Sequence, residues 1–535
     1  MSAERNNDTE TTARRVQPSA LAVLCVIAAG ALARLPTFRI PLDQDSSVYA
    51  YVAKVWSEGG VPYRDVWDHK PPLIYLAYRA LFFVAPPESC DVNLTLRLGS
   101  LACDLATALV VLALCWRLFD FRRGAFAAVL YVCFAATPIL QDEAFQPERL
   151  TTLLTVAGLL AAVEYVRRRR LWISGLSGLL FGLALVTKQV AAPVGALTWA
   201  WVTWEVLRSR GRGGWRRVLA HSVAMALGVL VPWAVCFAYF AARGALGDFW
   251  ECVFTYNLFY ASAERKGSLL AGVIGFVRNG LFDHGFLWAA GALGLVVALV
   301  RERERSAGLL VLLWAAAAAL GLILPGQFAT YYYVPTVAPF AAASAVGLLW
   351  LCGVVRSGRP AWLRASVALV ALVVLGGCLF VAGKRAYGPG GRYEFATDPN
   401  RTNAVVARVA RFIRDQTEPG EAVYMRGGRM QVYILSGRRS VTRFLYDFYY
   451  GLPPERAYHF KPEKLREIMA CLEKERPRWV VITTRGKGKG VFDGAWESLE
   501  RYFPAFKRYV QANYSLERTW EAHPVSLMVF RRNQG

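Results

Sequence analysis

Acidic residues and histidines are scarce in this chain. There are 39 Asp and Glu against 62 Lys and Arg in 535 residues, and only five His. With no HxxxH or HExxH spacing among those five, the sequence carries no familiar zinc-enzyme motif, although a divalent metal requirement stays open. The ten cysteines form no CxxC and no Cys/His pair, which leaves no basis for a disulfide framework or zinc ribbon. Cys25, Cys103, Cys115, Cys133, Cys236, Cys352 and Cys378 fall inside apolar runs and read as packing residues. Charge is also sparse. Only 19% of residues are charged while 55% are hydrophobic, which excludes an ordinary soluble protein of this size.

What the sequence has instead is a series of long apolar runs, read as spans of about 18 to 25 residues that each suffice to cross a bilayer. They fall near 18–36, 95–116, 124–141, 149–166, 171–187, 190–207, 217–242, 284–300, 306–324, 332–355 and 362–383. That predicts about eleven transmembrane helices. Residues 171–207 are ambiguous, because Thr187-Lys188-Gln189 either separates two spans or breaks one.

The formal net charge of +23 would suggest nucleic acid in a soluble protein, so the position of the cations decides its meaning. Arginines cluster at 117–123, 167–170, 208–217, 301–305 and 356–364, each cluster between two apolar runs. This is the positive-inside pattern, not a nucleic-acid surface. It predicts a cytoplasmic N-terminal tail (1–17), a transmembrane domain (18–385) in the plasma (inner) membrane, and a soluble extracytoplasmic domain (386–535). The tail shows no small-residue cleavage site, so the first span is expected to remain as an anchor.

After the Gly388-Pro389-Gly390-Gly391 linker, strands alternate with helices: helix 402–416, strand 422–425, helix 430–435 closed by Gly437, helix 462–474 and strand 479–483. The alternation predicts a small α/β domain with a largely parallel sheet, to which 515–519 and 526–530 would add an antiparallel edge. The first outer loop, 37–94, is too long to lack structure of its own. Its periodicity predicts one helix through Val48–Trp56 and another from Pro71-Pro72 to Phe83, both lying in the membrane interface.

Polar chemistry collects at the outer mouths of the spans. In the first loop stand Asp43, Asp45, Asp68, His69 and Lys70. Asp43 or Asp45 can cap the helix that follows, but only one residue can be the N-cap, which leaves a carboxylate open to general-base duty. Lys70, stiffened by the prolines after it, is either an interface cation or a point charge for a phosphate. His69 beside it is an interface residue or a second phosphate contact. Asp142, Glu143 and Glu148 make the second outer loop, 142–148, acidic. Glu148 followed by Arg149 reads as a dipole partner or as a rim acid for a polar substrate. Lys188 and Gln189 have no carboxylate near them in sequence, so Lys188 is a candidate second phosphate contact. Tyr331-Tyr332-Tyr333 fits an aromatic belt from which one ring might face a site. Asp283 and His284 stand before a span, after a loop containing Trp250, Tyr256, Asn257, Tyr260, Arg265 and Lys266.

The block Asp45-Ser-Ser-Val-Tyr49-Ala-Tyr51, the run Gly60-Val-Pro-Tyr63-Arg-Asp65-Val-Trp-Asp68-His69-Lys70-Pro71-Pro72 and the second-loop Gln146-Pro-Glu148 together resemble the polytopic GT-C glycosyltransferases. The resemblance is to the bacterial branch of glycosyltransferase family 39, which includes protein O-mannosyltransferases and the aminoarabinose transferases that modify lipid A. Thr187-Lys188-Gln189, the tyrosine run to Pro335 and Val432 to Arg438 add to it. The resemblance implies a GT-C fold with outer loops 37–94 and 142–148 forming the site. It further implies a polyprenyl-phosphate sugar donor and inverting transfer to a hydroxyl of a glycan, lipid or protein. In that picture Asp45 and Glu148 are the catalytic acids, and Lys70, with His69 and Lys188, holds the donor phosphate. Asp43, Arg149, Gln189 and Tyr333 are further candidate substrate contacts. Two departures are Ser46 after Asp45, where many relatives carry Glu, and His69 where the aminoarabinose branch has an acid, so that branch's substrate is not carried over. A flippase for lipid-linked sugars and a non-catalytic envelope scaffold remain alternatives that the span pattern also allows.

Overall fold

The structure is a computed structural model that describes residues 20–137, 140, 144–209, 214–263, 268–326, 328–356, 360–366, 368–369, 380, 383–385, 387–446, 462–485 and 495–534. The membrane part is helical: α1 (Ala20–Arg39), α2 (Gln44–Ser57), α3 (Leu73–Val84), α4 (Val92–Leu118), α5 (Phe121–Ala135), α6 (Pro147–Arg168), α7 (Leu171–Leu185), α8 (Ala192–Arg208), α9 (Gly214–Ala242), α10 (Leu246–Trp250), α11 (Tyr256–Ala263), α12 (Leu269–Val300), α13 (Arg305–Ile323) and α14 (Val334–Arg356). Local chemistry sets the ends of several. Asp91 and Asp120 cap α4 and α5 by accepting from Leu94 N at 2.7 Å and Arg123 N at 2.9 Å. Pro147 opens α6, and Arg169 closes it in the left-handed region.

Among the described residues, eight helices are long and apolar enough to cross a membrane. The difference from the expected eleven has physical reasons. α5 and α7 have 15 residues each and rise only about 22 Å, short of a hydrocarbon core of about 30 Å. Most of the expected span 362–383 lies outside the described residues. Lys188 marks a true break, since α7 ends at Leu185 and α8 begins at Ala192. α12 is a correction: it starts at Leu269, so Asp283 and His284 lie inside a helix and not at its mouth.

Helix pairs close on small residues. A Cβ added at Gly178 of α7 would lie 2.0 Å from Met225 O of α9, and one at Gly294 of α12 would lie 1.8 Å from Ala343 O of α14. Only glycine lets these backbones approach so closely. One buried charge group ties four helices. Asp104 of α4 accepts from Arg149 of α6 at 2.6 Å, pairs with Arg34 of α1, and takes the Tyr131 hydroxyl of α5 at 3.4 Å.

The C-terminal part is built on a mixed five-stranded sheet in the order β2-β1-β3-β5-β4, from β1 (Ala422–Arg426), β2 (Arg439–Ser440), β3 (Trp479–Arg485), β4 (Tyr514–Trp520) and β5 (Val525–Arg532). β1 pairs parallel with β2 and β3, and β5 pairs antiparallel with β3 and β4. The last two strands thus make the antiparallel edge. The sheet is only half parallel, because β5 returns beside β3 through a hairpin partner without a crossover.

This domain sits on the first outer loop. Tyr51 of α2 packs on Tyr433 with centroids 5.3 Å apart and accepts from Ser440 N at 2.6 Å. Trp67 N donates to Arg443 O at 2.8 Å. Val48, Val52 and Trp56 belong to the same apolar core as Val423, Val481 and Phe530. The expectation that α2 lies in the membrane interface is therefore corrected: it is sandwiched under the sheet domain, and Val48, Ala50 and Ala53 are fully buried. α3 does expose Phe83 and Val84, as an interfacial helix would.

Candidate active site

Asp43 is the N-cap of α2. One carboxylate oxygen accepts from Ser46 N at 2.8 Å and the other from Ala144 N at 2.8 Å, so the cap also ties the first outer loop to the second. Tyr78 of α3 reinforces the tie by donating to Phe145 O at 2.6 Å. Burial pushes the Asp43 carboxyl up, against the lowering effect of its hydrogen bonds to Ser46 and Ala144. As a substrate contact, Asp43 would have to give up these bonds.

With Asp43 used as the cap, Asp45 in the first turn is left to face outward. It is half-buried, and Tyr331 donates to its Oδ2 at 3.3 Å. Asp45, Tyr331, Gln44, Arg401, Asn403 and Arg429 line a polar cavity of about 270 Å³ between α2 and the sheet domain.

The Asp68-His69-Lys70 segment is fixed by its backbone. A tight turn with Tyr63 at φ 72° folds the chain back, with Tyr63 N donating to Val66 O at 2.8 Å. The Tyr63 hydroxyl donates to Lys70 O at 2.7 Å, and Asn257 of α11 donates to His69 O at 2.8 Å. Such backbone anchoring is what keeps a charged side chain aimed.

The three side chains form a row. Tyr75 donates to Asp68 Oδ2 at 2.6 Å, Asp68 Oδ1 lies 3.4 Å from His69 Nδ1, and His69 Nε2 lies 2.6 Å from Lys70 Nζ. An ammonium has only donors, so Nε2 is the acceptor and the ring proton belongs on Nδ1, toward Asp68. His69 is thus engaged on both nitrogens and packs against Tyr256 at 4.8 Å. The expectation that it contacts a phosphate is replaced by one in which it holds Lys70. Burial pushes the His69 pKa down, and the Lys70 charge pushes it further. Burial alone would raise the Asp68 carboxyl, but its hydrogen bond to His69 and the His69 and Lys70 charges outweigh this and hold it low. Burial also pushes the Lys70 ammonium down, opposed by Asp68, Asp45 and Glu148.

Glu148 and Lys188 form a buried ion pair between α6 and the α7–α8 break. This corrects the reading of Lys188 as a cation without a carboxylate. Its ammonium also lies 4.0 Å from the Tyr332 ring centroid. Glu148 Oε2 is buried and has no hydrogen-bond partner among the described residues. The pair tops a narrow, largely apolar cavity of about 20 Å³ shared with Val194, Trp314, Leu322 and Tyr332. Lys70 feels the charges of Asp68, Lys188, Asp45 and Glu148 together, so residues from four distant segments converge.

Other candidates are engaged elsewhere. Arg149 is buried against Asp104 and donates to Leu140 O at 3.0 Å. Tyr333 stacks on Phe276 and donates to its carbonyl, so Tyr331 and Tyr332 are the rings that line the cavities. Gln189 donates to Val253 O at 2.8 Å. Asp142, Glu143, Arg265 and Lys266 lie outside the described residues. Among the described residues, no group of three or more His, Cys, Asp or Glu could hold a metal ion. Arg401 and Arg429 were not singled out in the sequence, although Gly427-Gly428 after a strand was a signal for a tight, positioned loop.

A bundle of membrane helices whose outer loops are roofed by a small sheet domain, with acids and lysines gathered beneath the roof, is the GT-C architecture, and the chain has that fold. No family model and no curated protein matches it. Among solved structures, it is similar to ArnT from Cupriavidus metallidurans bound to undecaprenyl phosphate, with a TM-score of 0.58 and 15% identity over 97% of this chain and 98% of that one. The apo state of the same protein gives 0.57 at 17% identity, with the same coverage. The archaeal oligosaccharyltransferase AglB from Archaeoglobus fulgidus, in complex with an inhibitory peptide and a dolichol-phosphate, gives 0.51 at 13% identity over 86% of this chain and 69% of that one.

Proposed function

We propose that this protein is an inverting glycosyltransferase that moves a sugar from a polyprenyl-phosphate donor to a hydroxyl of a cell-envelope acceptor, a glycan, lipid or protein. The observation that carries the reading is the convergence of Asp45 and Lys70 from either end of the first outer loop. The likeness to an ArnT bound to undecaprenyl phosphate supports the donor class. In this reading the N-terminus is cytoplasmic, and loops 37–94 and 142–148 and the domain from residue 386 onward lie outside.

The chemistry follows from the charges. Asp45 takes the proton of the acceptor hydroxyl as its oxygen attacks the anomeric carbon opposite the phosphate. The carbon–oxygen bond to phosphate breaks, and its electron pair leaves with the polyprenyl phosphate. Lys70 receives that developing charge. The Asp68–His69 pair keeps the Lys70 ammonium aimed without contributing a positive charge of its own. Glu148 offers its unpartnered Oε2 to a substrate hydroxyl, and Lys188 reaches the donor phosphate only by sharing itself with Glu148.

Glycan and lipid analysis of a deletion strain tests the function as a whole. Wild type is expected to restore an envelope sugar that Asp45→Asn fails to restore. Equal restoration by both would overturn the reading.

A further inference from the structure

The cavity that Asp45 lines has a second charged feature. Arg429 follows the carboxyl end of β1 through Gly427 and Gly428, whose φ angles of 104° and 80° require glycine. A Cβ at Gly427 would also lie 2.0 Å from Thr483 Oγ1, so this loop has one tight path. The path puts the guanidinium against α2, where Nη1 donates to Gln44 Oε1 at 3.3 Å. Its Nε is buried and has no hydrogen-bond partner, and among the described residues Arg429 makes no ion pair. The charge acting on it is a like one, from Arg401. Burial and that neighbour together push Arg429 down to about 10. Arg401 is itself placed, stacked 3.2 Å over Phe395 with a hydrogen bond to Phe395 O at 3.3 Å. Buried charges are normally paired, and two cations side by side on a cavity wall are a costly arrangement unless an anion joins them.

We propose that Arg401 and Arg429 form a binding site for an oxyanion, a phosphate or carboxylate carried by the acceptor, which the sheet domain thereby presents to Asp45. A planar guanidinium pair suits a tetrahedral phosphate or a carboxylate through bidentate hydrogen bonds. The word acceptor rests on the glycosyltransferase reading; the anion site itself does not.

The test uses the full chain in phosphatidylcholine nanodiscs, in a Lys70→Ala background that removes the expected donor phosphate contact. The thermal midpoint is followed on titration with inorganic phosphate, with acetate, and with glucose as a neutral control. Saturable stabilisation by phosphate or acetate and not by glucose is expected, and which of the two acts identifies the anion. Arg429→Gln and Arg401→Gln should each weaken the apparent Kd by about tenfold or more, and Arg429→Lys should weaken it less than Arg429→Gln. No stabilisation in the Lys70→Ala protein, or an unchanged Kd in both glutamine variants, would overturn the site. Loss of the phosphate response when phosphatidylglycerol is added to the nanodiscs would assign the arginines to a lipid headgroup and overturn the acceptor role. Because binding is read without turnover, failure of the catalytic reading leaves this result intact, and the converse also holds.

Discussion

Lys70 Nζ lies 2.6 Å from His69 Nε2, and the other ring nitrogen faces the buried Asp68. Protonating this ring would set an imidazolium against an ammonium. The His69 pKa is pushed down in the fold, so the folded state resists the proton more than the unfolded chain, whose value is about 6.5. The stabilisation from neutral His69 is complete above that value and is lost as pH falls through the lower folded value. His69→Gln, which keeps an acceptor for Lys70 but cannot titrate, should therefore lose less thermal stability than wild type between neutral and acidic pH. Melting curves across that range check it, and parallel losses in the two proteins would count against the assigned ring state.

Asp104 is the sole carboxylate shared by Arg34 and Arg149, both almost fully buried. Asp104→Asn leaves two cations without their counter-ion and should destabilise the bundle by about 3–5 kcal/mol. Denaturation of the purified variant in detergent measures this. A loss below 1 kcal/mol on the order of a surface pair would show that the group is not the helix tie described.

Asp43→Ala removes a helix cap and the partner of Ala144 N at once. The cap alone is worth about 1 kcal/mol, and an orphaned buried N–H adds about 1–3 kcal/mol. The variant should therefore be less stable and expose the second outer loop to protease. Asp45→Asn should do neither, since Asp45 caps nothing.

Much of this architecture was legible because it follows from local pattern. The helix through Val48–Trp56, the proline-opened α3, the strands at Ala422 and Trp479, and Gly437 as a left-handed helix end all follow from periodicity and turn chemistry. What periodicity does not carry is partner choice. Glu148 meets Lys188 across 40 residues, and Asp104 meets Arg149 across 45. An outward-facing lysine and a buried, paired one look alike in sequence. The burial of α2 was missed for a related reason: its apolar positions fit a lipid interface as well as a protein roof, and only the docking of the sheet domain decides between them.

Gly427→Ala tests how the roof is positioned. It forces a side chain into a left-handed residue and against Thr483, a strain of about 1–3 kcal/mol. The acceptor KM should rise while the donor KM stays near wild type, because the displaced group is Arg429 and not Lys70. Equal changes in both constants would argue against separate donor and acceptor sites.

The central claim is that Asp45 and Lys70 divide the reaction between acceptor and donor. Its most direct test is transfer from a radiolabelled polyprenyl-phosphate sugar by purified protein, comparing wild type with Asp45→Asn and Lys70→Ala at equal folded concentration. The account predicts that Asp45→Asn lowers kcat by about 10²-fold or more with donor binding retained, and that Lys70→Ala loses both donor binding and turnover. Transfer at wild-type rates by both variants would contradict it.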